Sequence, residues 1–131
     1  YELRDKYDNA VRKAKNSRDY EEVLWAFSDG QHFERQIRQA YESSYLPMRG
    51  GIRQSEDLEI EPLERDGEVS SRAELSYKDF ASRVHRLLTP DHGAILISPR
   101  RGWYRFYENR LRGFVRLVAE SHDITLGADH F

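Results

Sequence analysis

Cysteine is absent from this chain of 131 residues. That excludes disulfides, thiolate metal sites and cysteine nucleophiles, and it fits a reducing, cytoplasmic compartment. No apolar run approaches the roughly 18 residues that a spanning helix requires, and no secretory leader pattern is present, so no membrane role is expected. No Gly-Lys pair occurs anywhere, which removes the phosphate-binding loop in which backbone amides cradle phosphate and a lysine reaches it. A Gly-x-Ser-x-Gly nucleophile elbow is also missing. The five histidines, His32, His85, His92, His122 and His130, lack the His-Glu-x-x-His spacing of a zinc site. Neither catalysis nor a cofactor is therefore expected of this piece. Its first residue is Tyr rather than Met, which suggests a segment of a larger polypeptide.

Hydrophobic residues make up 38% of the chain and aromatics 12%, enough for one domain with a modest core, and 34% is charged. The net charge of −2 says little, but its distribution says more. Residues 1–71 hold 11 Lys/Arg against 16 Asp/Glu, whereas residues 72–131 hold 10 against 7. Within 78–116 the count is 9 basic to 3 acidic. Such asymmetry points to a polyanionic or acidic partner on one side of the molecule.

Apolar spacing predicts a helix over 2–16, with Leu3, Tyr7, Ala10, Val11 and Ala14 on one stripe. A second helix is expected from Tyr20 to Ser28, capped by Asp19, with Val23, Leu24 and Phe27 facing inward. A third is expected over 31–43, carrying Phe33, Ile37 and Tyr41 at i, i+4 and i+8. Gly50 and Gly51 then open a connection, 49–73. Between residues 55 and 69 it holds seven acids and one base, Arg65. So dense a charge resists packing and reads as a solvated loop, with an edge strand through Leu58, Ile60 and Leu63 as the alternative.

The stretch 77–118 carries three signals in order. Phe80, Val84, Leu87 and Leu88 mark one face of a helix, which Ser76 caps with Asp79 three positions on. Two apolar runs, 94–97 and 103–106, flank the basic turn Ser98-Pro99-Arg100-Arg101-Gly102 and predict a hairpin. Leu111, Phe114, Val115 and Val118 then mark a closing helix. Helix followed by a hairpin with a cationic tip is the working half of a winged-helix domain. The expected fold is α+β and mostly helical: residues 1–18 as an additional N-terminal helix and linker, 19–121 as the winged-helix domain with a two-stranded wing, and 122–131 as a tail.

Residues 20–118 also resemble the C-terminal winged-helix region of bacterial and archaeal AAA+ ATPases of the origin-recognition-like or STAND-like kind. The likeness rests on Val23, Leu24 and Ala26, on Gly93, Ile95 and Leu96, and on Tyr104-Arg105-Phe106 with Leu111-Arg112-Gly113-Phe114-Val115. It implies a regulatory module that works beside an ATPase domain of the same polypeptide, with homo-oligomerisation as a further expectation. The acidic connection is longer than such a domain needs. The ATPase core itself lies outside the likeness, so nucleotide chemistry does not carry over.

Duplex DNA is the expected partner. The helical step puts Lys78, Ser82, His85 and Arg86 opposite Val84, with Arg83 at the flank. Lys78, Ser82, Arg83 and Arg86 are the candidates for the major groove, and Arg100 and Arg101 for flanking phosphates. Arg105 alternates with Tyr104 and Phe106 and is expected to face solvent as a further contact. Trp25, Phe106 and Phe114 read as core rather than as a stacking platform, while Trp103 falls out of step with Tyr104 and is placed beside the wing. Arg110, Arg112 and Arg116 read as a solvated face of the last helix. The competing reading is a protein-interaction or oligomerisation module with no nucleic-acid contact. A third has the acidic stretch 55–69 covering the basic face.

Overall fold

Seven consecutive residues, Glu22 to Ser28, are buried on every side of one helix, and the other elements are arranged around it. In the computed structural model, which describes residues 2–11, 17–30, 33–51, 74–124 and 126, this helix is α2 (Ser17–Ser28). Its contents explain its place. The first turns carry the part-exposed Arg18, Asp19 and Glu21, whereas Val23, Leu24, Trp25, Ala26 and Phe27 leave the second half no polar stripe to turn outward, and a stretch apolar all round belongs inside. Helix α1 (Glu2–Val11) lies against it through Tyr7, Ala10 and Val11. The Tyr7 hydroxyl donates to Glu21 Oε2 at 2.9 Å and accepts from Trp25 Nε1 at 3.1 Å, so the additional helix is tied to α2 by polar groups as well as packing. Residues 12–16, the rest of the expected first helix, lie outside the described residues.

After α2 the chain enters a two-residue strand, β1 (Arg35–Gln36), and only then a helix, α3 (Ile37–Ala40). The helix continues through a π turn (Tyr41–Tyr45) and remains helical over 46–51. The expected start near residue 31 is therefore corrected. The Arg35–Gln36 backbone is committed to a β ladder, and Phe33, assigned to the inner stripe, lies outside the helix and is 49% exposed. The π turn adds a residue to one helical turn, which brings Ser44, Tyr45 and Arg49 inward. The acidic stretch 55–69 lies outside the described residues. Where the chain is described again, Leu75 is held on both sides: its N–H donates to Tyr45 Oη and its carbonyl accepts from Tyr41 Oη, each at 2.8 Å.

Helix α4 (Tyr77–Leu87) begins as the cap predicts, with the Asp79 N–H donating to Ser76 Oγ at 3.1 Å. Phe80, Val84 and Leu87 are buried. Phe80 joins Phe27, Tyr41 and Tyr45 in a run of rings whose centroids lie 5.1–6.0 Å apart, linking α2, α3 and α4. A single 3₁₀ turn (Pro90–His92) closes on Gly93 at φ +73°, a value that glycine adopts without strain. His92 Nδ1 lies 2.6 Å from the Ala10 carbonyl and the ring stacks on Tyr20, which docks this turn on the end of α1.

Strands β2 (Leu96–Arg100) and β3 (Trp103–Phe106) form the hairpin, turning at Gly102 with φ +81°. Leu96 pairs with Phe106 and Arg100 with Trp103, with an irregularity between Ile97 and Arg100 where Ser98 Oγ sits 2.9 Å from the carbonyls of Arg100 and Trp103. β1 pairs antiparallel with β3 through Arg35–Tyr104 and Gln36–Trp103, giving the order β1-β3-β2 among the described residues. Tyr104 and Phe106 point into the core and Trp103 and Arg105 away, as the alternation predicts. Helix α5 (Asn109–Ser121) closes the molecule with Leu111, Val115 and Ala119. The fold is α+β and mostly helical, a winged-helix-like arrangement with a leading extra helix and a two-stranded wing.

One buried ion pair stands out. Glu22, with 0% of its side chain exposed, accepts from Arg49 Nη1 at 3.3 Å, itself 2% exposed, and from Arg18 Nε at 3.2 Å. Glu22→Ala removes the carboxylate that faces the buried Arg49 and is expected to cost ~3–5 kcal/mol in urea unfolding. Tyr7 and Tyr45 are a second handle. Burial pushes both phenols well above their ordinary value, with the Glu21 charge adding to the effect at Tyr7. Below the unfolded value of about 10, both states keep the proton and stability is intact. Above it, the unfolded chain releases protons that the folded chain retains, so stability falls with rising pH. The urea midpoint should drop between about pH 9 and about pH 11, less steeply in Tyr7→Phe.

Candidate nucleic-acid interface

The seven residues singled out for DNA contact divide into three groups. Lys78 is exposed and Ser82 half-buried on α4, and the exposed His85 continues that face. Arg83 and Arg86 turn toward the first turn of α2. Arg83 Nη2 lies 3.5 Å from Asp19 Oδ2, its Nη1 donates to the Asp79 carbonyl at 3.4 Å, and its guanidinium lies 5.7 Å from the Tyr20 ring centre. Arg86 is more exposed and donates to Tyr20 Oη at 3.1 Å, a bond that raises its pKa further above the ordinary arginine value. The helical step sets Arg83 at the flank, as expected. That the flank meets a carboxylate was not visible in sequence.

Arg100 and Arg101 are both exposed at the hairpin tip. Arg100 stacks over the Trp103 ring at 4.4 Å, and its Nη2 lies 3.6 Å from Glu34 Oε1. Arg105 is half-buried rather than fully solvated, donating from Nη1 to the Phe106 carbonyl at 3.3 Å. It lines a small cleft with Phe33, Phe106, Asn109 and Arg112. The arrangement therefore brings together the outer face of α4 and, separately, the wing tip, with Arg105 on the sheet face behind the tip.

The last helix requires a correction. Arg110 is exposed and pairs with Glu108 at 3.0 Å, but Arg112 and Arg116 are not a solvated face. Arg112 is buried and donates through Nη2 to the Gly30 carbonyl, and Arg116 donates through Nη1 to the Ser28 carbonyl at 2.6 Å. Arg35 completes the set, donating through Nη1 to the Ala26 carbonyl at 2.9 Å and to Ser44 Oγ. Three guanidiniums thus converge on the carboxyl end of α2, where the Ala26 carbonyl also accepts from the Asp29 N–H and the helix dipole favours cations. Burial lowers the Arg35 pKa, with Asp29 opposing that shift and Arg112 adding to it.

Phe33, Glu34, Arg35, Gln39, Arg100 and Trp103, with Gly30, line an open groove of ≈ 730 Å³ between the wing and the segment before β1. Sequence reasoning missed it, because Phe33 was assigned to a helix stripe and Gln39 carried no signal. Among the described residues no group of three or more His, Asp or Glu is placed to hold a metal ion, and no helix is long and apolar enough to cross a membrane.

Arg112→Ala should lower stability by about 2 kcal/mol, since a charged donor is lost from a buried helix end. Arg110→Ala, on the exposed pair, should stay within about 0.5 kcal/mol. Chemical denaturation of the two variants separates a helix clamp from a solvated face. Compared with known protein families, with curated proteins and with solved structures, the chain matches none of them.

Proposed function

We propose that this chain is a duplex-DNA-binding or DNA-positioning module of a larger, ATPase-type polypeptide. The observation that carries the reading is the winged-helix-like order of α4, turn and hairpin, with exposed Lys78 and Arg86 on the helix and Arg100 and Arg101 at the wing tip. In this reading α4 lies along the major groove with Lys78, Ser82 and Arg86 at base edges and phosphates, and the tip reaches the flanking backbone. Arg83, held by Asp19, serves to orient the helix on α2 and contacts phosphate only at the cost of that pair. Arg105 supports the wing from behind.

The second reading is a protein-interaction or oligomerisation module. What favours it is that Arg83 is already paired with Asp19, so part of the charge on α4 is met within the chain.

A salt titration against a generic duplex separates the two. Engagement of about four phosphates gives a log–log slope of roughly −3 to −4. The Arg100→Ala, Arg101→Ala double variant should weaken binding to all sequences alike and reduce the slope by about 2. No binding at low salt favours the interaction module, and an unchanged slope in the double variant removes the wing tip from the site.

A further inference from the structure

Apart from Arg100, which the duplex reading already uses, the groove beside the wing has a chemistry that contact with duplex phosphates does not draw on. Two aromatic rings border it, Trp103 half-buried and Phe33 largely exposed. Gln39, exposed on α3, offers an amide donor and acceptor together, the pattern that pairs with a base edge. Arginine dominates its charge. Arg35 and Arg100 line it against a single lining carboxylate, Glu34, and Asp29 acts on Arg35 from outside the lining. Aromatic faces, an amide and a positive field select a planar ligand that carries negative charge. The volume of ≈ 730 Å³ lies within the range of small-ligand sites.

Arg100 supplies the means of entry. Its guanidinium covers the Trp103 face, and its pair with Glu34 is solvent-facing, with side chains 61% and 38% exposed. Exposed ion pairs of that kind are weakly held. A phosphate at the wing tip competes with Glu34 for the guanidinium, and the move uncovers the indole for stacking. We infer that the groove formed by Phe33, Gln39 and Trp103 beside Arg100 binds an unpaired nucleotide, its base on Trp103 and its phosphate on Arg100. This rests on the duplex-binding reading and deepens it: the module then prefers duplex that carries a single-stranded tail, such as a fork or an unwound end.

The test compares blunt duplex, the same duplex with a short single-stranded tail, a free single strand and a free nucleoside monophosphate. Affinity is read together with the indole N–H signals of the two tryptophans, assigned with Trp103→Phe. The tailed duplex is expected to bind on the order of tenfold tighter than blunt. The Trp103 signal moves with the tail while that of buried Trp25 stays. Trp103→Ala and, on a separate element, Gln39→Ala bring the tailed duplex back to blunt affinity and leave blunt binding unchanged. A Trp103 shift with the monophosphate alone assigns the same site to a free nucleotide. A single strand that shifts Trp103 while blunt duplex fails to bind keeps the groove and removes the duplex reading. Equal affinity for tailed and blunt duplex with a silent Trp103 overturns the inference, as does a tail advantage that survives Trp103→Ala. A stronger response to an acidic peptide than to an oligonucleotide of equal charge overturns it too.

Discussion

A helix whose second half is sunk on all sides must still satisfy the carbonyls at its end, and in this molecule three arginines do much of it, beside the Asp29 N–H on the Ala26 carbonyl. An unmet carbonyl at a buried helix end carries a desolvation cost of about 1–3 kcal/mol. Arg35, Arg112 and Arg116 meet the carbonyls of Ala26, Gly30 and Ser28. Each guanidinium also places a positive charge at the negative pole of the helix, so the hydrogen bond and the dipole act in the same sense.

The origin of those arginines gives the arrangement its wider effect. Arg35 belongs to β1, which pairs with β3 of the hairpin, and Arg112 and Arg116 belong to α5, which follows β3 directly. Satisfying one helix end therefore orients both flanks of the wing. At the opposite end of α2, Asp19 and Tyr20 take Arg83 and Arg86 from α4. The helix and the hairpin of the candidate interface are thus referenced to a common axis at its two ends. Arg83, Arg112 and Arg116 are spent on that task, which is why the arginine-rich segment presents fewer outward charges than its composition promises.

Local rules made a good part of this legible. The Ser76 cap, the alternation Trp103 to Phe106, the glycine at the hairpin turn and the stripes of α4 and α5 all act within a few residues, and each is found. What escaped depends on distant partners. A two-residue strand such as β1 has no period to detect, and its partner lies some seventy residues away. Arg112 and Glu22 have the same letters as surface charges, and only the groups facing them make burial tolerable. The π turn shifts the count of residues per turn, so Tyr45 and Arg49 reach the interior from positions that a regular helix gives differently. The groove beside the wing draws on three separate segments and had no signature in any of them.

The two ends of the acidic connection are anchored independently of what lies between them. Arg49 is locked to Glu22 on one side, and Leu75 is gripped through its own amide and carbonyl by Tyr45 and Tyr41 on the other. Because both anchors close on partners within the described frame, the frame on either side of 52–73 carries its own bonds at the points where the chain leaves it and returns.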